Sequence, residues 1–251
     1  MELDIHNFKV EMLPQPDDTT CGPTCLHAVY KYYGDSIELK QVVEEVHAFE
    51  GGGTLAVWLA CHALRRGYEA TIYTYNLQVF DPTWLNKTNV DVIQRLLDQI
   101  TYKNDPKLRL ATRAYIEFLE LGGKIKLDDL TRDLVRKYLV QSTPILTGLS
   151  STFLYRSPRE YGGHQVEYDD IRGEPAGHFV ILCGYDRTNK MISIADPLHT
   201  NPFSKTQNYE TSIDRVLCSI LLGVITYDAN FLIIKPPSKT QKDNHKNLKH
   251  A

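Results

Sequence analysis

Apolar and polar positions change rhythm several times along this chain, and each change marks an element. Leu26, Val29, Tyr30 and Tyr33 stand three and four residues apart, the spacing of one helix face. Residues 23–33 therefore read as a helix, with Pro23 in its first turn and Gly34 closing it. "SIELKQVVEEVHAF" repeats the pattern, with Ser36 as cap and Leu39, Val42, Val43 and Val46 on one side. "EGGGT" is a flexible punctuation, and "TLAVWLACHALRRG" a third helix ending at Gly67. "YEATIYTYN" alternates and is rich in strand-forming residues, which predicts a strand.

From about 80 to 140 the rhythm turns helical again. "NVDVIQRLLDQI", "PKLRLATRAYIEFLELGG" and "LDDLTRDLVRKYLV" each carry an apolar face with start and stop signals. "TPILTGLS" reads as a short buried strand. Residues 151–176, polar and aromatic without a period, read as a lid-like loop, since loops of that length in a compact domain are mostly functional. "HFVILCGYD" and "KMISIADP" are two strands joined by the turn "RTN". "YETSIDRVLCSILLG" has a helical face, "NFLIIKP" is a last strand, and 236–251 is a polar, mobile tail. Helices come first and strands mostly later, which predicts an α+β fold in one domain over 1–235 with a helical insertion at about 80–140.

Composition narrows the partners. A formal net charge of −3 gives no electrostatic reason to expect nucleic acid. No apolar run reaches the roughly 18 residues of a membrane span, and "MELDIHNFKVEM" lacks the parts of a secretory signal. The expectation is a cytoplasmic protein without a membrane span. Five cysteines, an odd count, read as free thiols. Neither zinc-finger spacing nor a phosphate-loop Lys-Ser/Thr is present, so no metal or cofactor is expected.

One cysteine stands apart. Cys21 lies where the polar turn "PDDTT" becomes a Pro-started helix, and the unpaired N–H groups of a helix start favour a thiolate. Cys25 lies one turn deeper and, with Cys61, Cys183 and Cys218, reads as core filling. A nucleophile needs a base, an orienter and donors for the developing oxyanion. His178 opens one late strand and Asp196 ends its neighbour, so pairing about residues 187–189 brings them close to opposite each other. Gln15, between two prolines and six positions before Cys21, can offer its amide beside the Cys21 N–H. Plainer readings fit the rest: Asp17 and Asp18 a solvated turn, His164 a lid residue or rival base, and Tyr30, Tyr32 and Tyr33 helix packing.

"QPDDTTCGPTCLHAVYKYYG", "GHFVILCGYD" and "IADP" together resemble the C39-type branch of papain-like cysteine peptidases. The resemblance implies a papain-like fold, with an N-terminal helical part packed on an antiparallel sheet. It also implies Cys21 as nucleophile, His178 as general base, Asp196 as orienter and Gln15 as oxyanion donor, acting on a peptide or protein substrate through a thioester. Two alternatives remain open: an acyltransferase or transpeptidase using the same thioester, and a non-catalytic binding module on the same fold.

Overall fold

The computed structural model describes residues 5–86, 89–162 and 167–237. Its frame is an eight-stranded sheet. In spatial order the strands are β3 (Lys124–Lys126), β2 (Glu69–Thr74), β10 (Asn230–Lys235), β4 (Ile145–Ser150), β7 (Gly177–Asp186), β8 (Met191–Ala195) and β9 (Asn208–Ser212). The short β1 (Ile5–Asn7) continues the β4 edge of β7 beyond residue 183. Every pairing is antiparallel except β2 with β3.

Helices cover both faces, because the central strands are apolar on both sides. Phe179, Ile181 and Cys183 of β7 join one cluster, Val180 and Leu182 the other. The first cluster receives α1 (Cys21–Tyr32), α2 (Leu39–Glu45), α3 (Ala56–Arg65), α5 (Val92–Tyr102) and α6 (Pro106–Glu120), with the single turn α4 (Pro82–Leu85) at its margin. The second receives α7 (Arg132–Leu139), α8 (Ser151–Tyr155) and α9 (Ile213–Leu222). Leu26, Leu59 and Ile72 are wholly buried, each contributing about 1.5–3 kcal/mol of apolar burial.

The helical insertion starts as its capping signals require. Asp91, Asp105 and Thr131 accept hydrogen bonds from the N–H groups of Gln94, Leu108 and Leu134. Several expectations need correction. The insertion also supplies β3, which extends the sheet, and the helix expected from 127 begins at Arg132. Residues 209–212 are strand and not helix, since Tyr209 and Thr211 alternate with exposed neighbours before α9 starts. The lid-like loop opens with α8 and continues into the hairpin of β5 (Glu160–Tyr161) and β6 (Glu167–Tyr168). His164 and positions 238–251 of the expected tail lie outside the described residues. Among the described residues no helix is long and apolar enough to cross a membrane.

Candidate active site

Cys21 is the first residue of α1, half-buried, at the end of a turn pinned by Asp17. Asp17 Oδ1 accepts the Thr19 N–H at 2.8 Å and the Thr19 hydroxyl at 2.7 Å. Behind Cys21 the helix meets the sheet closely: a Cβ on Gly22 would stand 2.5 Å from Thr54 Cγ2 and 3.2 Å from Phe179. A side chain there would have to displace Thr54 or the helix start itself.

His178 lies near the start of β7, on the side of Val180 and Leu182 by alternation, and is 8% exposed. Its Nε2 bonds Asp196 Oδ1 at 2.8 Å. Burial by itself would push the imidazole down. The Asp196 charge and hydrogen bond, with a further contribution from nearby Cys21, outweigh it and hold the ring well above its usual value. With Nε2 committed to Asp196, Nδ1 is left to face Cys21.

Asp196 is 0% exposed. Burial raises its carboxyl, and the His178 charge and the hydrogen bonds around it more than reverse the rise, leaving it below its usual value. Oδ1 also accepts the Leu198 N–H at 2.9 Å, while Oδ2 accepts the hydroxyls of Tyr155 at 2.6 Å and Tyr209 at 2.8 Å. Sequence reading missed both tyrosines. Tyr155 sits in the stretch read as loop and Tyr209 in the stretch read as helix, and neither is near Asp196 along the chain.

Register explains how His178 and Asp196 meet. From the turn, Asp186 pairs with Met191 and Gly184 with Ser193. Continued unchanged, that register would set Asp196 opposite Ile181, on the other side of the sheet from His178. A bulge at Cys183 shifts the pairing, so that Leu182 meets Ile194 and Ile181 meets Ala195. Asp196 then falls level with Val180, diagonal to His178 and on its side. The two residues are thus diagonal neighbours and not an opposed pair.

Gln15 is drawn to the same region, since its N–H bonds the Pro197 carbonyl at 2.8 Å. Its side-chain amide, however, donates to Asp17 O at 2.9 Å, its Oε1 is buried without a partner, and it does not line the cleft. The structure brings Cys21, His178 and Asp196 together and keeps Gln15 beside them, one turn of chain away.

The cleft at Cys21 and His178 has a volume of about 280 Å³, and Gly51, Gly52, Gly53, Thr226 and Asp228 are among its walls. "EGGGT" is therefore part of the site and not mere punctuation. Gly52 has φ +87° and a Cβ there would meet Thr19 Cγ2 at 2.5 Å, so this position admits no side chain. Asp18 is one of its walls, and Glu160 is near enough to feel both Asp18 and His178. Burial raises the Glu160 carboxyl, the nearby His178 lowers it and Asp18 raises it, for a net rise.

The other cysteines are separated from this chemistry. Burial pushes the Cys25 thiol well up, with Cys21 and Asp196 adding to it, and its Sγ–H donates to Phe179 O. Burial also pushes Cys61 and Cys183 to about 12. Cys218, expected in the core, is exposed, because α9 turns Ile213, Val216 and Ile220 inward instead. All five are free thiols.

An antiparallel-dominated sheet with helices on both faces, α1 among them, is a papain-like fold. The chain belongs to the Peptidase_C39 like family, whose model matches residues 8–216. A putative C39-like peptidase from Bacillus anthracis shares 13% identity over 94% of this chain and 99% of its own, with a TM-score of 0.51. The peptidase domain of Streptococcus ComA, a bi-functional ABC transporter, aligns over 91% of this chain and 100% of its own at 13% identity, with a TM-score of 0.42. Xylellain, a cysteine protease from Xylella fastidiosa, aligns over 94% and 87% at 11% identity, with a TM-score of 0.41. The first is close enough to speak to the fold, and at that identity to nothing beyond it. No curated protein matches.

Proposed function

We propose that this protein is a cysteine peptidase that hydrolyses amide bonds of a peptide or protein through Cys21, His178 and Asp196. The observation that carries the reading is a His178 ring fixed by Asp196 through Nε2 and lining one cleft with Cys21. Cys21 Sγ, its proton passed to His178, attacks the carbonyl carbon, and the developing oxyanion is met by the Cys21 N–H at the open start of α1; the Gln15 amide becomes a second donor only by leaving Asp17 O, to which it is bonded at 2.9 Å. Collapse breaks the C–N bond, and His178 gives its proton to the leaving amine. The thioester is then attacked by water, whose proton passes to His178; the C–S bond breaks, the Cys21 sulfur leaves and takes its proton back from His178, and the water oxygen completes the free acid. Asp196 keeps the ring oriented and stabilises its positive charge.

The test pairs a variant with a label. Cys21→Ala is expected to lower cleavage of a susceptible peptide by at least about 10³-fold. A peptidyl electrophile is expected to attach to Cys21 alone, read by mass spectrometry of the digested adduct. Cleavage by Cys21→Ala at the wild-type rate, or labelling confined to another cysteine, overturns the reading.

A further inference from the structure

Asp228 lies just before β10, in the segment that follows a 3₁₀ turn over Gly223–Thr226. It is 7% exposed, yet it is a wall of the cleft that holds Cys21 and His178. Its Oδ1 accepts the Ala56 N–H at 2.9 Å and the Asn230 Nδ2–H at 3.3 Å. Oδ2 has no protein donor among the described residues. Lys107 is also a wall of this cleft and close enough to lower the carboxyl, but its ammonium lies over the Tyr227 ring at 4.8 Å and the Phe49 ring at 5.6 Å and forms no ion pair with it.

A cap for the start of α3 does not require a carboxylate. A neutral side-chain oxygen would accept the Ala56 N–H without the cost of burying a charge. What a carboxylate adds is a second oxygen, without a protein donor, at the wall of the cleft. The approach to it is kept low: Gly52 admits no side chain, and a Cβ on Gly177 would stand 2.8 Å from Thr226 Oγ1. Phe49 offers an apolar wall for an aliphatic stem. The charges of the lining are mixed, with Asp18 and Asp228 acidic and Lys107 and His178 basic, so the selectivity rests on the unpaired Asp228 oxygen itself.

Resting on the peptidase reading for its catalytic sense, we propose that this cleft selects substrates with a cationic side chain next to the scissile bond and that Asp228 is the residue recognising the charge. The stem lies along Phe49 above the glycines, and the lysine or arginine head meets Oδ2. Ligand and carboxylate neutralise each other out of water, where such a pair is selective because an uncharged or acidic side chain leaves Asp228 buried alone.

Two measurements test it. In the first, iodoacetamide alkylation of Cys21 in the full chain is followed by mass spectrometry at constant ionic strength, with agmatine or n-butanol present. Agmatine is expected to protect Cys21 at a concentration at least about tenfold below that of n-butanol. Asp228→Asn is expected to bring the two together, its fold being checked by circular dichroism. In the second, kcat/KM is compared for peptides differing only in Lys, norleucine or Glu beside the cleaved bond, with Lys favoured about 10–100-fold. Equal protection by agmatine and n-butanol in the wild type overturns the inference whatever Asp228→Asn does. Cleavage without preference for Lys also overturns it, while leaving the peptidase reading intact. Asp228-dependent protection by agmatine with no peptide cleaved supports the cation pocket and counts against the peptidase.

Discussion

Asp196 is held by donors on both oxygens, and removing the two phenols tests whether that grip shapes the site. Tyr155→Phe deletes the 2.6 Å bond to Oδ2 while leaving a ring to pack beside His178 and Phe203. Tyr209→Phe deletes the 2.8 Å bond to the same oxygen. A hydrogen bond to a charged group contributes about 1.5–3 kcal/mol, so each single variant should lose about 2 kcal/mol. In the double variant Oδ2 keeps no donor although Asp196 is 0% exposed, and the loss should exceed the sum by about 0.5–3 kcal/mol. A chain of this size shifts Tm by about 2–4 °C per kcal/mol, so each single variant should melt about 4–8 °C lower and the double lower than both shifts together. With fewer donors offsetting its charge, Asp196 should also hold the His178 proton more tightly, moving the ring's titration upward. Calorimetry reads the first effect and the His178 ring resonances read the second. Singles within about 1 °C of wild type, or a double no worse than its more damaging single, would refute the reasoning.

Asp228→Asn should show stability gained by removing a functional acid. Burial raises the Asp228 carboxyl from 3.8 to about 7, so folding is penalised progressively as pH rises between those values, by roughly 4 kcal/mol at the limit. The variant should melt above wild type at pH ~8 and lose that advantage at pH ~4; a constant gap would count against it. The His178–Asp196 pair has the opposite signs. Asp196 contributes stability above its unfolded value of 3.8 that is lost as pH falls through its lower folded value. His178 contributes stability that is full below 6.5 and lost as pH rises through its higher folded value. His178→Ala should flatten both limbs in thermal melts across pH, and unchanged limbs would exclude the pair as their source. Gly52→Ala, placing a Cβ at φ +87° and 2.5 Å from Thr19 Cγ2, should cost about 1–3 kcal/mol and slow labelling of Cys21 by a peptidyl electrophile. Wild-type labelling and stability would show the loop to be more pliable than its geometry implies.

Local signals on the chain determined a good deal. The Pro-started helix at Cys21, the Gly34 stop, the strand at 69–74 and the helices behind Asp91 and Asp105 are legible because capping and periodicity act over a few residues. The placement of the proposed nucleophile and base was legible for the same reason: a cysteine at a helix start and a histidine near a strand start show their surroundings within a few positions.

What completes the site was decided by contacts distant in sequence. "HFVILCGY" is buried on both sides, so no polar alternation marks the extra residue at Cys183, yet that bulge puts Asp196 on the side of His178. Tyr155 and Tyr209 reach Asp196 from segments 41 and 13 residues away, and nothing local distinguishes them from the chain's other tyrosines. Asp228 follows the same rule, since its burial comes from α3 and β10 closing around it. Alternation and caps are properties of neighbours along the backbone; register, burial and charge compensation exist only once the sheet has closed.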